Sequence, residues 1–475
     1  ITNFRADTQG SALFYCLSDT LFETVSIMSK KKYFLALLSL FMMNNIRAGN
    51  EETWDLERCI QYALENNIQI QKSNVSEQQQ DVSLKESQAA LFPSLSFGMN
   101  QSLNYRPLQS NPNSIVANGM ANTSSKKLTE NGNYSLNASW TVWDGKSNTN
   151  TIKIQKLNKK MAELDTEISK NSITEQITQL YIQILYSTEA KKVNESILET
   201  AKKQVERGKE MMQNGLLSET ELKQLEAQWS SAQYDVVNAQ TQIDDYNLQL
   251  KQLLELDPST DFQIADLEIS DEQALQLVPS SSEVYNQALL LRPEIQSKQT
   301  AIEAAKLSVD VAKAGYQPSL SLNASISDSH YSTGAQVASQ LKENLNGTIG
   351  LTLSVPIFDN RKNKSAVERA KLDQVTKSLE LTEEQKNLYN TIESYNLQAR
   401  NNQEKFKASI TKTESMESSY RLLNEQFENG LKNVVELLTG KDDLLQAQQE
   451  KLQSKYTTLL NIQLLKFYQG NSITL

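Results

Sequence analysis

The feature that most constrains the fold of this chain is an internal duplication. Residues 63–95 align without a gap with residues 288–320, and at a second offset Asn214-Gly215-Leu216 corresponds to Asn429-Gly430-Leu431. Each copy has the pattern of a helix, two strands, a very long helix, a tight turn and a further helix. A repeat of about 200 residues is far longer than the 20–50-residue unit of solenoid proteins, so we interpret it as a duplicated half-module.

The composition favours long helices and excludes several classes of function. The 475 residues include only 15 glycines, 8 prolines and a single histidine, His330, which removes most histidine-based acid–base, triad and zinc chemistry. The net charge of −10 and the lack of a concentrated basic run beyond residues 30–32 argue against a nucleic-acid partner. Cys16 and Cys59 have no metal-ligand spacing, and no disulfide is expected. The sequence therefore predicts neither an enzyme nor a cofactor or metal site.

The first part of the chain has the pattern of a secretory signal peptide. A basic segment at residues 28–32 precedes an apolar stretch at residues 33–43, which is too short to cross a bilayer as a helix. We therefore predict a signal peptide at residues 28–48, cleaved after Ala48, and an upstream segment of doubtful translation at residues 1–27. A short buried core helix is the alternative interpretation of the apolar stretch.

Three parts are predicted for the rest of the chain. The first structural repeat covers residues 52–254, and the second covers residues 282–469. Residues 255–281 have no counterpart in either copy and contain Pro258 and Pro279. We interpret them as a linker packed around the middle of the helical body.

Two predicted helices are exceptionally long. Lys146–Arg207 and Arg361–Asn429 contain no glycine or proline, and their apolar residues recur every three or four positions, the narrow seam typical of coiled coils. Asn214-Gly215 and Asn429-Gly430 suit left-handed helix ends, and another helical stretch follows each of them. Each tip is therefore predicted to be a hairpin of antiparallel coiled-coil helices.

Four segments alternate between apolar and small polar residues, at 94–105, 134–142, 319–326 and 348–355. Each has the length of about ten residues that a tilted strand needs to cross a bilayer. A soluble β-sandwich is the alternative interpretation of such alternation. Residues 107–133 and 325–346, the second of which contains His330, are predicted to be external loops.

Four strands cannot close a barrel within one chain. Eight strands from a dimer would be filled by their own side chains, so twelve strands from a trimer form the smallest multiple expected to leave a water-filled lumen. The sequence predicts an α+β membrane protein in which a transmembrane β-barrel, four strands per chain, continues into a long antiparallel α-helical coiled-coil barrel. A secreted coiled-coil scaffold or adhesin of the envelope, without transport activity, is the alternative.

Three motifs carry a resemblance to a known family. Residues 56–67, Leu291-Arg292-Pro293-Glu294-Ile295 and Val355-Pro356-Ile357-Phe358-Asp359 occur in the order found in the TolC family of outer-membrane efflux channel proteins. The chain resembles this family from Asp55 to about Gly470. The resemblance implies a passive trimeric exit duct of a tripartite efflux or secretion system, with its strands in outer-membrane lipid and its helices in the periplasm. It also implies a periplasmic membrane-fusion adaptor and an inner-membrane transporter of RND or ABC type as partners.

The resemblance further implies two kinds of site at the hairpin tips. Contacts with the adaptor are expected at Asn214, Gly215, Leu216, Leu217, Ser218, Asn429, Gly430 and Leu431. Counting from Gly430, the residues expected to form a periplasmic gate are Phe427, Lys432, Glu436 and Thr439. Thr439 stands where the family has a second carboxylate, so a single ring of three Glu436 side chains is expected to attract cations. The alternative is that Glu436 is an ordinary solvated charge.

Overall fold

The computed structural model describes residues 53–105, 107–108, 113–116, 119–122, 128–260, 262–331 and 337–475. Residues Asp55–Leu475 form one compact unit. The predicted signal peptide and upstream segment lie outside the described residues.

Helices dominate the described residues, with six strands inserted among them in two groups. The helices are α1 (Leu56–Asn66), α2 (Ile68–Ala89), α3 (Ser147–Gln213), α4 (Glu219–Leu253), α5 (Asp271–Ala274), α6 (Ser281–Leu291), α7 (Pro293–Ala314), α8 (Val337–Glu343), α9 (Lys362–Glu428) and α10 (Val434–Tyr468). The strands are β1 (Ser94–Tyr105), β2 (Asn113–Val116), β3 (Gly119–Asn122), β4 (Leu128–Trp143), β5 (Ser319–Tyr331) and β6 (Asn346–Ser354).

The long strands form one antiparallel sheet in the order β1-β4-β5-β6. The pairing runs from Ser94 opposite Ser139 to Tyr105 opposite Leu128, so β1 and β4 are joined along their whole length. Among the strands that the structure describes, β2 and β3 form a separate pair within the predicted loop 107–133. The sheet confirms the four predicted strands and extends β4 and β5 beyond the predicted limits.

The prediction that His330 lies in a loop is wrong. His330 belongs to β5, faces Gly132 of β4 and is 5% exposed. Its ring stacks on that of Tyr134, with the centroids 5.9 Å apart. A Cβ atom on Gly132 would approach His330 Cε1 to 2.1 Å, so the glycine makes room for the imidazole. The sequence does not alternate between apolar and polar residues at this end of β5, because polar residues occupy both faces of the strand there.

The helix that opens the first repeat is divided in two, because the chain breaks at Asn67. Asn67 adopts an extended conformation with ψ 128°, and its side chain accepts hydrogen bonds from the backbone N–H groups of Gln69 and Ile70. Its Nδ2 donates to the carbonyl oxygen of Leu253 at 2.8 Å. The amide therefore begins α2 and ties it to the end of α4. Asp55 caps the start of α1, since its Oδ1 accepts from Arg58 N at 2.8 Å.

Helices α3 and α9 each have 67 residues, which corresponds to a length of about 100 Å. Helix α4 returns along α3 and α10 returns along α9, while α7 packs against both long helices. Midway along the bundle, a core forms around Val284, Ile295, Ile392 and Ile462. No helix in the described ranges combines the length and hydropathy required to span a bilayer.

The predicted linker is fastened to the helices by hydrogen bonds and an ion pair. Asn396 Nδ2 donates to Pro279 O at 2.6 Å, and Gln403 Nε2 donates to Gln276 O at 2.7 Å. Lys455 Nζ lies 3.0 Å from Asp271 Oδ1. These contacts join residues 271–279 to α9 and α10.

Candidate functional site: hairpin tips and sheet

The turn between α3 and α4 has the geometry expected of an Asn-Gly helix end. Gly215 has φ +72°, and a hydrogen bond joins Leu216 N to Met211 O at 2.8 Å. This bond closes the last turn of α3 in the arrangement of a Schellman cap. Asn214 Nδ2 donates to Glu210 O at 2.9 Å, which satisfies another carbonyl at the helix end. The side chain of Leu216 points outward and is exposed, whereas Leu217 is buried.

The turn between α9 and α10 repeats this geometry. Gly430 also has φ +72°, and Leu431 N donates to Gln426 O at 2.9 Å. Asn429 Nδ2 donates to Glu425 O at 2.8 Å. Leu431 is exposed like Leu216, so each tip presents one leucine to the surroundings. An exposed leucine beside polar turn residues is a suitable contact for another protein.

The helices that leave the two tips begin with side-chain caps. Ser218 and Glu221 form a reciprocal capping box at the start of α4. The backbone N–H of Ser218 donates to Glu221 Oε2 at 3.0 Å, and this bond lowers the pKa of the Glu221 carboxyl. At the start of α10, Asn433 Oδ1 accepts from Glu436 N at 2.9 Å. Both helices thus place a carboxylate near their positive end.

The predicted gate residues do not share one environment. Lys432 Nζ is paired with Glu436 Oε2 one turn further on. Asn433 Nδ2 donates to the other Glu436 oxygen at 3.1 Å, so both carboxylate oxygens are engaged within the chain. Thr439 Oγ1 donates to Val435 O at 2.9 Å. Glu436 nevertheless keeps 41% of its side-chain surface exposed, which leaves it accessible to ions.

Phe427 lies in the core that joins the two hairpins. It is 1% exposed and packs in a cluster with apolar side chains of the other three helices and of the first turn: Val205, Met211, Leu217, Leu222, Leu225, Val434 and Leu437. A polar contact reinforces this cluster, because Gln204 Nε2 donates to Tyr420 Oη at 2.8 Å and to Asn424 Oδ1 at 3.0 Å. Phe427 therefore holds the hairpins together rather than facing solvent within the chain.

Sequence reasoning missed Lys441, whose side chain is only 4% exposed. Burial lowers the pKa of its ammonium group, while the nearby Asp442 and Asp235 oppose this shift. Its Nζ lies 3.8 Å from Asp442 Oδ1. The only signal in the sequence is its spacing, since Val434, Leu437, Lys441 and Leu444 follow the apolar seam of α10.

The two hairpins achieve close packing with opposite arrangements of leucine and glycine. In the first, Gly208 of α3 faces Leu225 of α4, whose Cδ1 lies 2.8 Å from the position of an added Cβ. In the second, Gly440 of α10 faces Leu423 of α9, with the corresponding distance 2.6 Å. Leu423 and Gly440 stand 215 residues after Gly208 and Leu225 respectively. The large and small residues have therefore exchanged helices between the hairpins.

Arg292 of the Arg-Pro-Glu motif forms a second cluster that sequence reasoning left without a role. Its side chain is 7% exposed and is paired with Glu294 at 2.9 Å and Glu175 at 3.4 Å. The guanidinium carbon lies 4.2 Å from the centre of the Tyr468 ring and 5.4 Å from that of Phe467. Burial raises the pKa of Glu175 even though Arg292 acts to lower it. The cluster joins α3, α7 and α10.

One face of the sheet is an exposed apolar surface. The large apolar side chains exposed on β1 and β6 are Leu95, Phe97, Met99, Leu103, Tyr105, Ile349, Leu351 and Leu353. The other face of β1 presents Ser94, Ser96, Gly98, Asn100 and Ser102. A sheet with one apolar and one uncharged polar face suits a boundary between lipid and water. Among the described residues, no three His, Cys, Asp or Glu side chains form a group able to hold a metal ion.

Comparison with solved structures shows where this fold occurs. A structure of CusC is 18% identical to this chain, with a TM-score of 0.74 over 90% of this chain and 96% of that one. The outer membrane protein VceC from Vibrio cholerae is 16% identical, with a TM-score of 0.69 over 88% and 97% of the two chains. The Campylobacter jejuni CmeC outer membrane channel is 20% identical, with a TM-score of 0.68 over 88% and 86%. The fold is that of outer-membrane channels.

Comparison of sequences gives the family. The alkaline protease secretion protein AprF of Pseudomonas aeruginosa is 25% identical over 271 residues, 56% of this chain and 53% of the relative. The chain thus matches about half the length of this curated relative. A model of the outer membrane efflux protein family matches residues 59–255 and 284–471, nearly all of both helix–sheet–helix halves. This chain belongs to the outer membrane efflux protein family.

Proposed function

We propose that three copies of this chain form a passive exit duct through the outer membrane. In this trimer the sheets join into a 12-stranded β-barrel, and the helices continue as a coiled-coil tunnel into the periplasm. The duct performs no catalytic step, and solutes move through it with energy supplied by a transporter in the inner membrane. The apolar face of the sheet is the observation that carries this proposal, because its exposed side chains require a nonpolar environment.

The edges of the sheet support its closure with other copies. Within the described residues, β1 pairs only with β4 and β6 pairs only with β5, which leaves one edge of each strand open. Open edges with long apolar strands promote pairing between chains, and a lipid environment requires that every backbone group be satisfied. A ring of three sheets joined from β6 to β1 satisfies these groups.

We also propose that the chain arose by duplication of one half-module. The first repeat covers residues 52–254, the linker covers 255–281 and the second repeat covers 282–469. Equal lengths of 67 residues for α3 and α9, and of 35 residues for α4 and α10, support this division. With two hairpins per chain, a trimer supplies six hairpins to the tunnel.

The hairpin tips are the proposed contact with a periplasmic membrane-fusion adaptor. The exposed Leu216 and Leu431, each next to an Asn-Gly turn, favour this role. An inner-membrane transporter of RND or ABC type completes the assembly. Lys432, Glu436 and Thr439 are proposed to narrow the tunnel at this end, with Glu436 as the group that attracts cations. Phe427 is proposed to act in this gate from the core, by holding together the hairpins that carry the other three residues.

Single-channel recording in planar bilayers tests this function. Wild-type protein should conduct, and multivalent cations added on the tip side should block the current. Glu436→Gln should weaken this block, because three carboxylates near the axis attract cations more strongly than three amides. Glu221→Gln is the matched control, since residue 221 holds the same position in the other hairpin and glutamine preserves its capping box.

Two results would contradict parts of the proposal. Protein that inserts but never conducts would refute the duct. Block that is equally strong in wild type and Glu436→Gln would remove Glu436 from the gate while leaving the duct intact.

A further inference from the structure

The four connections between the sheet and the helices each expose an aromatic side chain. Phe92 precedes β1, Trp143 ends β4, Tyr316 precedes β5 and Phe358 follows β6, with exposed fractions between 46% and 86%. Exposed aromatic residues at every connection are unusual for a surface in contact with water only, and amphipathic rings are enriched where a membrane meets water.

Contacts between the connections bring these rings to one level. Trp140 Nε1 donates to the carbonyl oxygen of Leu91, next to Phe92, at 2.8 Å. The position of a Cβ on Gly145 lies 2.6 Å from Gln317 Cβ, which joins the second connection to the third. Asn363 Nδ2 donates to Gly315 O at 2.6 Å, which joins the fourth to the third. The four connections therefore lie next to one another, at the same end of the sheet.

A cation stands directly beside the band where each long helix begins. Lys146 and Arg361 precede α3 and α9, with φ +71° and φ +68°. This left-handed conformation is unfavourable for side chains other than those of glycine, asparagine and aspartate. Neither helix has an acidic residue in its first turn, so both cations also lie at the positive end of a helix dipole.

Helices elsewhere in the same chain follow the opposite rule. Helix α4 begins with Glu219 and Glu221, and α10 has Glu436 in its first turn. In both of these helices the N-cap residue itself supplies a side-chain cap, whereas Lys146 and Arg361 make no such bond and the carboxylates of Asp144 and Asp359 bind the first turns of α3 and α9 instead. The cations beside the sheet thus oppose both the backbone preference and the helix dipole, in both halves of the chain. Asp144 and Asp359 offset part of the dipole effect, because each accepts a hydrogen bond from the first turn of its helix. Attraction of the cations to an anionic surface outside the protein would offset the remainder.

The sequence around the two cations is also basic, although the chain as a whole has a net charge of −10. Residues 146–160 contain five lysines and no acidic residue, and residues 361–371 contain five basic residues and one acidic residue, Glu368. Some of this charge is paired within the chain, since Lys159 contacts Asp81 at 2.7 Å and Arg361 lies 3.8 Å from Glu368. Lys146, Lys362 and Lys364 are exposed.

The acidic residues of the connections are occupied by the helix ends. Asp144 Oδ2 accepts from Asn148 N at 2.7 Å, and Asp359 Oδ2 accepts from Asn363 N at 2.8 Å. Both carboxylates are partly buried, so the basic side chains dominate the outer surface.

We propose that these residues dock on the phospholipid headgroups of the periplasmic leaflet and select net-anionic lipids. The membrane anchor band is defined as the rings of Phe92, Trp143, Tyr316 and Phe358 together with the charges of Lys146, Arg361 and Lys362. The rings lie at the boundary between acyl chains and headgroups, and the cations lie further from the bilayer centre, at the phosphates. This inference rests on the proposed function, because it requires the sheet to cross the bilayer.

Quenching of tryptophan fluorescence by brominated lipid tests this selectivity. The full chain is reconstituted into vesicles of dibrominated phosphatidylcholine with rising fractions of bromine-free phosphatidylglycerol. The bromine atoms quench the fluorescence of Trp140 and Trp143 in β4. The relief of quenching gives the affinity of phosphatidylglycerol relative to phosphatidylcholine at the protein surface. Wild type should prefer phosphatidylglycerol on the order of threefold, from the attraction of a few basic residues to anionic lipid. The triple variant Lys146→Gln, Arg361→Gln, Lys362→Gln should show a ratio of about one.

A matched control removes the same charge far from the band. The control variant carries Lys202→Gln, Lys203→Gln and Lys209→Gln, and these three lysines are exposed on α3 near the hairpin tip. It should leave the affinity ratio of the two lipids unchanged. A wild type without preference, or a triple variant that keeps the wild-type preference, would overturn this inference alone. Complete absence of quenching by the brominated lipid would overturn the proposed function as well, since the sheet would then not contact lipid.

Discussion

At the scale of single residues, Arg292 shows how a buried charge is accommodated in the helical body. A guanidinium group that is 7% exposed requires compensation, and here two carboxylates and two aromatic rings supply it. The Pro293 that follows it is the first residue of α7, so the same short motif begins a helix and places a charge in the centre of the bundle. The motif therefore acts through structure, at a distance from the hairpin tips.

Removal of the guanidinium should strongly destabilise the folded chain. Arg292→Ala leaves Glu175 buried without its cationic partner, and breaking a buried ion pair in this way costs about 3–5 kcal/mol. Chemical denaturation followed by circular dichroism measures the loss. Arg421→Ala, on the exposed face of α9, is the control and should unfold like the wild type. Equal midpoints for all three proteins would show that Arg292 contributes nothing to stability.

The raised pKa of Glu175 predicts a pH dependence of stability. Its cause is burial, which disfavours the charged carboxylate in the folded state. The folded chain therefore binds this proton more tightly than the unfolded chain. This contribution is complete below the ordinary value of 4.5 and is lost as pH rises through the higher folded pKa.

Glu175→Gln should remove that dependence. The variant should lose less stability than the wild type when denaturation is compared at pH 4.5 and at pH 7, because glutamine does not titrate. Other groups titrate equally in both proteins, so the difference between the two losses isolates Glu175. A larger loss in the variant would mean that the sign of the proposed coupling is wrong.

At the scale of elements, the hairpins show how one packing solution can be built in two ways. A glycine within a helix is unfavourable, yet Gly208 and Gly440 each allow a leucine of the neighbouring helix to approach closely. The exchange of large and small residues between the hairpins keeps the total side-chain volume at this layer. Volume-conserving changes are the ones that packed cores tolerate best.

An exchange engineered within the first hairpin tests this interpretation. Gly208→Leu alone should destabilise by about 1–3 kcal/mol through overpacking against Leu225. Adding Leu225→Gly reproduces the arrangement of the second hairpin and should recover much of that loss, with a coupling energy of at least about 1 kcal/mol. Thermal denaturation of both single variants and of the double variant supplies the cycle. Strictly additive effects would show that the two positions do not pack as a pair.

The elements also show which features a sequence can reveal. Both hairpin turns were predictable, because an Asn-Gly pair after a long helical stretch sets a left-handed end by local chemistry alone. The burial of Phe427 was not, since it depends on side chains from four helices that meet only in the folded chain. His330 was misplaced for a related reason: the space above Gly132 that accepts its ring exists only after β4 and β5 pair.

At the scale of the whole molecule, one chain combines a sheet with an exposed apolar face and long helices with a narrow apolar seam. The sheet needs partner strands at its edges, and the helices need other helices against their apolar seams. The family to which the chain belongs consists of outer membrane efflux proteins. The proposed assembly around a threefold axis would satisfy both needs at once and would enclose the uncharged polar face of the sheet. The membrane anchor band would then fix the depth at which the barrel sits in the lipid.

The protein mass of the detergent-extracted particle, measured by light scattering with the detergent contribution subtracted, tests the central claim most directly. We expect a mass of three chains, and a particle that loses solubility when detergent is removed. A mass of one chain, from protein that stays dispersed in buffer without detergent, would contradict the account.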